Sequence, residues 1–159
     1  MKAVERVLLT AIEMERYGQE YYAYFARSVS DSKGKALLRG LGDDEKDHEE
    51  LLSKEFKAIT GRLPPKNIGE ESVKTVFVHE REKGKTDLTI RILRLGIAIE
   101  RKSIDFYSSK GEAMKSGRLK KLLDYLVEIE KGHKAILEEN LSHLKHESAW
   151  WGYVPILDG

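Results

Sequence analysis

Four glutamates and two histidines carry the chemistry that this sequence offers. Glu45-x-x-His48 lies in the stretch DDEKDHEELL, and Glu130-x-x-His133 lies in EIEKGHKAIL. Each pair has a further glutamate 30 residues before its own, Glu15 and Glu100. Residues three apart share one face of a helix, and Leu37, Leu41 and Leu52 stand at helical distances from the first pair, on the stripe expected to be buried. Glu15 follows Ala11 by four and precedes Tyr22 by seven, again on the apolar side. Burying an uncompensated carboxylate costs several kcal/mol, and like charges nearby add to that. Two divalent cations would neutralise four carboxylates, with neutral imidazoles completing the donor set. Nitrogen and oxygen donors without a thiolate suit iron or manganese better than copper or a tetrahedral structural zinc.

A single Glu-x-x-His is weak evidence for a metal site, because a solvated charge run produces it by chance. The second copy changes the reading. Shifted by 85 residues, the two halves align without a gap: Ile12 falls on Ile97, Glu15 on Glu100, Arg16 on Arg101 and Tyr22 on Tyr107. Leu37, Leu38 and Leu41 fall on Leu122, Leu123 and Leu126, and Glu45, Lys46, His48 and Leu52 on Glu130, Lys131, His133 and Leu137. The pattern is that of a duplicated helical hairpin related by a pseudo-two-fold axis. Asp43, Lys46, Asp47 and Glu49 read as the solvated outer face of the same helix.

Four amphipathic segments must position these residues. Residues ~3–29 carry Val4, Leu8, Ala11, Ile12, Tyr22 and Phe25 at helical spacing, and SDSKGK (30–35) supplies the turn. A second stripe runs from ~33 to 60 through Leu37, Leu41, Leu52 and Phe56, and the prolines of GRLPPK (61–66) stop it. A third, ~87–114, shows Leu93, Gly96, Ile97, Ile104 and Tyr107, with Thr86 or Asp87 as candidate N-cap. After KSG (115–117) the fourth, ~117–146, shows Leu122, Leu126, Ile136, Leu137, Leu141 and Leu144. The expected fold is an all-α four-helix bundle of two antiparallel hairpins. About 26 residues separate the second helix from the third, enough for a crossover along the bundle at ~1.5 Å per helical residue. Within it VKTVFVHE (73–80) alternates like a short strand.

Composition excludes several alternatives. The chain has 159 residues, 35% of them charged, with a net charge of +1 and both signs interspersed. That balance points to neither nucleic acid nor an anionic membrane. Without cysteine there is no disulfide, zinc ribbon, iron–sulfur cluster or thiol catalysis. The N-terminus does not read as a signal peptide, and no apolar run approaches ~20 residues, so a cytoplasmic protein is expected.

AIEMERYGQEYY with DDEKDH, and GIAIERKSIDFY with EIEKGH, resemble the ferritin-like di-iron carboxylate proteins, the rubrerythrin-like branch above all. In that class a Glu from each of two helices joins a Glu-x-x-His from each of the other two. The resemblance spans roughly residues 3–146 and implies two iron ions, with manganese or a mixed pair as alternatives. It makes Glu45 and Glu130 bridging ligands, Glu15 and Glu100 terminal ones, and gives one metal each to His48 and His133. It further implies an oxidoreductase that reduces hydrogen peroxide or O₂ with electrons from an external donor protein. A ferroxidase or iron-handling role, and a non-enzymatic metal-stabilised interaction bundle, are the alternatives. Where typical members carry an extra carboxylate three residues after the third-helix Glu, this chain has Ser103, and Gly18 in the other half. The rubredoxin-like domain of typical members has no counterpart here.

Tyr22 and Tyr107, seven residues beyond Glu15 and Glu100, face the same region as candidate catalytic side chains. They would hydrogen-bond the terminal carboxylates, donate an electron, or fill the core. Gly18 and Ser103 leave room either for a small oxidant or for close helix packing. His143 and His146 at a helix C-terminus complement the helix dipole, and His79 falls in the crossover. Residues 1–146 form the expected bundle. The tail, 147–159, brings Trp150, Trp151 and Tyr153 against the bundle end or into a homodimer contact.

Overall fold

The computed structural model describes residues 2–67, 88–147 and 149–153. Among the described residues four helices run α1 (Lys2–Ser28), α2 (Ser32–Thr60), α3 (Leu88–Glu112) and α4 (Arg118–Glu147), and there is no strand. These bounds differ from the periodicity reading by one or two residues. The strand-like stretch 73–80, His79 and the candidate caps Thr86 and Asp87 lie outside the described residues. Among those described, no helix is long and apolar enough to cross a membrane.

Local chemistry accounts for the hairpin turns. Asp31 is extended (φ −66°, ψ 134°), and its carboxylate accepts from the Lys33 and Gly34 amides at 2.8 and 3.0 Å. Two of the orphan donors that open α2 are thereby satisfied. At the other end Gly61 adopts φ 73°, a left-handed conformation that glycine accepts without penalty, and its amide returns to the Lys57 carbonyl. Arg118, opening α4, reaches back to the buried Glu55 of α2 at 2.7 Å.

α1 packs on α2 and α3 on α4, as two antiparallel hairpins. Val4, Ile59, Met114 and Leu119 meet at one end of the bundle, so α2 finishes where α4 starts. At the opposite end the Tyr21 hydroxyl donates to the Ile92 carbonyl at 2.7 Å, near the start of α3. The chain must therefore pass from one end of the bundle to the other between α2 and α3. Its described beginning climbs along α1. Arg62 pairs with Glu5, and Arg16 donates to the Pro65 and Lys66 carbonyls at 2.8 and 3.1 Å.

The core falls into two apolar clusters. One gathers Tyr21, Tyr22, Leu37, Leu38, Leu41, Ile92, Leu93 and Leu137; the other gathers Leu8, Ala11, Ile12, Leu52, Phe56, Tyr107, Leu123 and Leu126. Each fully buried Leu or Phe contributes ~1.5–3 kcal/mol of hydrophobic stabilisation. Both clusters draw on all four helices. Between them in the sequence register of every helix stand Glu15, Glu45, Glu100 and Glu130.

Candidate metal centre

Each helix delivers its share of the centre from the buried stripe. Glu15 comes from α1, Glu45 and His48 from α2, Glu100 from α3, and Glu130 with His133 from α4. All six are buried, with Glu100, Glu130 and His133 at 0% exposure. A helix turn separates Glu from His in each pair, so both side chains leave the same face and converge on the bundle axis.

The six form two overlapping groups. Glu15, Glu45, His48 and Glu130 make the first, Glu45, Glu100, Glu130 and His133 the second, and within each the donor atoms lie within 4.8 Å of one another. His48 Nδ1 stands 3.1 Å from Glu130 Oε1, 3.4 Å from Glu15 Oε2 and 3.5 Å from Glu45 Oε2. His133 Nδ1 stands 3.0 Å from Glu130 Oε2, 3.5 Å from Glu45 Oε1 and 3.7 Å from Glu100 Oε2. Glu45 and Glu130 thus turn one oxygen to each histidine, whereas Glu15 and Glu100 each serve one group. The two imidazoles stack at 5.5 Å between ring centres, inclined by 21°.

A sequence model of the rubrerythrin family matches residues 6–141. The chain belongs to the rubrerythrin family. A hypothetical protein of Pyrococcus furiosus has a similar structure, with a TM-score of 0.70 and 25% sequence identity over 94% of this chain and 92% of that one. No curated protein matches. The fold is accordingly the ferritin-like four-helix bundle of that family.

Tests of fit come from buried polar atoms that make no hydrogen bond. Glu15 Oε2, His48 Nδ1, Glu100 Oε2 and Glu130 Oε1 are buried and make no hydrogen bond. An unmade hydrogen bond on a buried polar atom costs ~1–3 kcal/mol, more if charged. All four atoms belong to the donor set, and together they line the two groups. Six oxygen- and nitrogen-bearing side chains within mutual coordination distance, four of them with a donor atom that makes no hydrogen bond, fit divalent metal.

Electrostatics in this rubrerythrin-family bundle show the strain of holding these charges together. Burial, reinforced by Glu45 and Glu130, raises the Glu15 carboxyl well above its ordinary value, and burial with Glu130 and Glu45 does the same to Glu100. Burial also opposes the charge of Glu130, but His133 and His48 outweigh it and hold that carboxyl low. Glu45 is likewise lowered, against its burial and the Glu130 charge, by the nearness of Glu15, His133 and His48. Both imidazoles are raised despite burial. His48 is held by Glu130, Glu15 and Glu45, and His133 by Asp44, Glu100 and Glu130. The raised groups favour their protonated forms and the lowered ones their charged forms, so the crowded carboxylates are opposed by the two imidazoles.

The two tyrosines meet the carboxylates across the halves. Tyr22 of α1 donates to Glu100 Oε1 of α3, and Tyr107 of α3 donates to Glu15 Oε1 of α1. Both are fully buried, and each belongs to a different apolar cluster, so they cap the polar layer from opposite sides. Ser103 and Gly18 are buried. A Cβ on Gly18 would meet Glu45 Cγ at 3.1 Å, which favours close packing as the reason for a glycine there.

Sequence reasoning missed several residues around the centre. Asp44 is half-buried, and its Oδ2 lies 3.1 Å from His133 Nε2 and accepts from the Tyr153 hydroxyl at 2.7 Å. Burial works against the Asp44 charge, but its bonds to His133 and Tyr153 hold the carboxyl low. Burial and Asp44 push the Tyr153 hydroxyl up to about 12, so it remains a donor. Glu49, read as solvated, is instead half-buried and clamps Arg16 at 2.6 Å and Gln19 at 2.8 Å, tying α2 to α1. His143 and His146 stay near the surface: His143 sits 3.3 Å from both Glu139 and Glu147, and His146 Nδ1 2.8 Å from the Ser142 carbonyl.

Proposed function

We infer that this protein is a di-metal oxidoreductase, holding two iron ions (or manganese, or one of each) and reducing hydrogen peroxide or O₂. The observation that carries the reading is the four orphaned donor atoms, all within one buried carboxylate–histidine set shared by two overlapping groups. Two metal ions bound there would supply two electrons at once to a small oxidant. Glu45 and Glu130 would each hold both ions, Glu15 and Glu100 would each hold one, and His48 and His133 would bind one ion each. Four carboxylates then match the charge of two dications.

The chain's other contribution is to keep that set rigid. Tyr22 and Tyr107 fix the terminal carboxylates by one oxygen each, leaving Oε2 of both free to bind. The apolar clusters on either side exclude bulk water, which strengthens every electrostatic interaction inside. Reduction of hydrogen peroxide to two waters consumes two electrons and two protons. The electrons enter from a donor outside the bundle.

Metal analysis after native expression, followed by a peroxide assay, tests the reading. The expected result is about two iron or manganese ions per chain, and consumption of one peroxide per two electrons by the anaerobically reduced protein. Fewer than one ion per chain, with no change in melting temperature on anaerobic Fe(II) addition, would falsify it. Slow accumulation of ferric mineral in place of peroxide turnover would favour iron handling.

A further inference from the structure

The C-terminal residues 149–153 are fastened to the bundle at three places. Asn140, fully buried on α4, accepts from the Trp151 and Gly152 amides at 3.0 and 2.8 Å and donates to the Gly152 carbonyl at 2.8 Å. Trp150 lies so close to Gly34 of α2 that a Cβ there would sit 2.6 Å from the indole. Tyr153 lies against Gly40 in the same way, at 2.8 Å. Gly40 lies inside α2, where a glycine costs stability, and Gly34 in its first turn; here they make room for two aromatic rings. Beyond Gly40, the Tyr153 hydroxyl reaches Asp44, and Asp44 reaches His133.

This connection breaks the symmetry of the repeat. The 85-residue shift that pairs every member of the donor set pairs Asp44 with Ile129, whose side chain accepts no hydrogen bond. An imidazole whose second nitrogen donates to a carboxylate is fixed in tautomer and orientation and is a more basic ligand. Losing such a partner typically costs about 10–100-fold in metal affinity.

We propose that the tail is a positioning strap: Tyr153 holds Asp44, Asp44 orients His133, and the metal position on the His133 side is the tighter of two unequal positions. The proposal rests on the di-metal reading above. Linkage makes it reciprocal, so a metal bound at His133 tightens tail docking by the factor that docking tightens the metal.

The chain's two tryptophans, Trp150 and Trp151, are both in the tail, so acrylamide quenching of tryptophan emission reports docking alone. Metal-free, full-length protein is titrated anaerobically with Co(II), followed by its visible absorption, and separately with Zn(II), followed by quenching. The wild type is expected to bind two Co(II) with unequal affinities, and Zn(II) should shield its tryptophans. Asp44→Ala should weaken the tighter position by about 10–100-fold. Tyr153→Phe and Gly40→Ala should weaken it in the same direction but by less than Asp44→Ala, leave the other unchanged, and uncouple quenching from Zn(II). Gly40→Ala adds a better helix former, so its effect is not one of lost folding. Two normal Co(II) positions in both tail variants, or equal weakening of both positions, would overturn the strap and leave the di-metal reading standing. No divalent metal bound by the wild type would overturn the di-metal reading itself, and the strap with it.

Discussion

The Tyr22 hydroxyl of α1 donates to Glu100 Oε1 of α3, a residue 78 positions away, and not to a carboxylate of its own half. Tyr107 returns the arrangement by donating to Glu15. The two hairpins are therefore cross-tied through the site they share. Replacing either tyrosine with phenylalanine removes a donor from a carboxyl group buried away from solvent. Tyr22→Phe and Tyr107→Phe should each lower the stability of the metal-free protein by about 1–3 kcal/mol, read from urea denaturation midpoints. A loss below a few tenths in both would mean that the tyrosines only fill space.

The sharing of donors between the two groups makes ligand substitutions distinguishable. His48 serves the first group alone and His133 the second, whereas Glu130 presents one oxygen to each. His48→Ala should thus reduce bound metal from two ions to about one, while Glu130→Ala should weaken both positions. Metal content after exhaustive dialysis measures this. Equal losses in the two variants would contradict the bridging role of Glu130.

Acidity follows from the same crowding. Glu15 and Glu100 are raised above the ordinary 4.5, and His48 and His133 above 6.5. A group raised on folding contributes stability that is complete below its unfolded value and is lost as pH climbs through the folded one. The metal-free protein should lose stability as pH rises from about 4.5, first through the carboxyls and beyond 6.5 through the imidazoles as well. Glu45 and Glu130, being lowered, act in the other direction and lose their contribution only as pH falls below 4.5. Metal must displace the bound protons. Its stabilising effect should then grow over the range in which the metal-free melting temperature falls, with release of protons on binding. Thermal melts from about pH 5 to 9, with and without Zn(II), check the sign, and an indicator dye counts the protons.

Gly18 offers a cleaner separation of stability from binding. Alanine in a helix interior is ordinarily better than glycine by about 0.5–1 kcal/mol, but here its Cβ would press on Glu45 at 3.1 Å. Gly18→Ala should leave the metal-free melting temperature within a few degrees of wild type and weaken Co(II) binding. Unchanged Co(II) affinity would show that Glu45 can give way freely.

Much of this centre could be read before any coordinates. Helical periodicity places Glu45 and His48 on one face with Leu41 and Leu52, and the gapless 85-residue repeat does the same for Glu130 and His133. Asp44 had no such signal. It stands in a run with Asp43 and Asp47, and only the arrival of His133 from another helix distinguishes it. Asn140 and Glu55 were equally silent. They occupy paired positions of the repeat, yet one binds the tail and the other Arg118.

Residue spacing along a helix is a local property, so the sequence by itself determined which side chains share the buried stripe, how many helices carry them, and that the set is duplicated. Which atom faces which depends on the rotation and axial offset of one helix against another, and those are set by packing between residues far apart in the chain. Only the tertiary structure could decide that the tyrosines cross between hairpins, that Glu45 and Glu130 divide their oxygens between two histidines, and that one half has an Asp–Tyr strap where the other has Ile129.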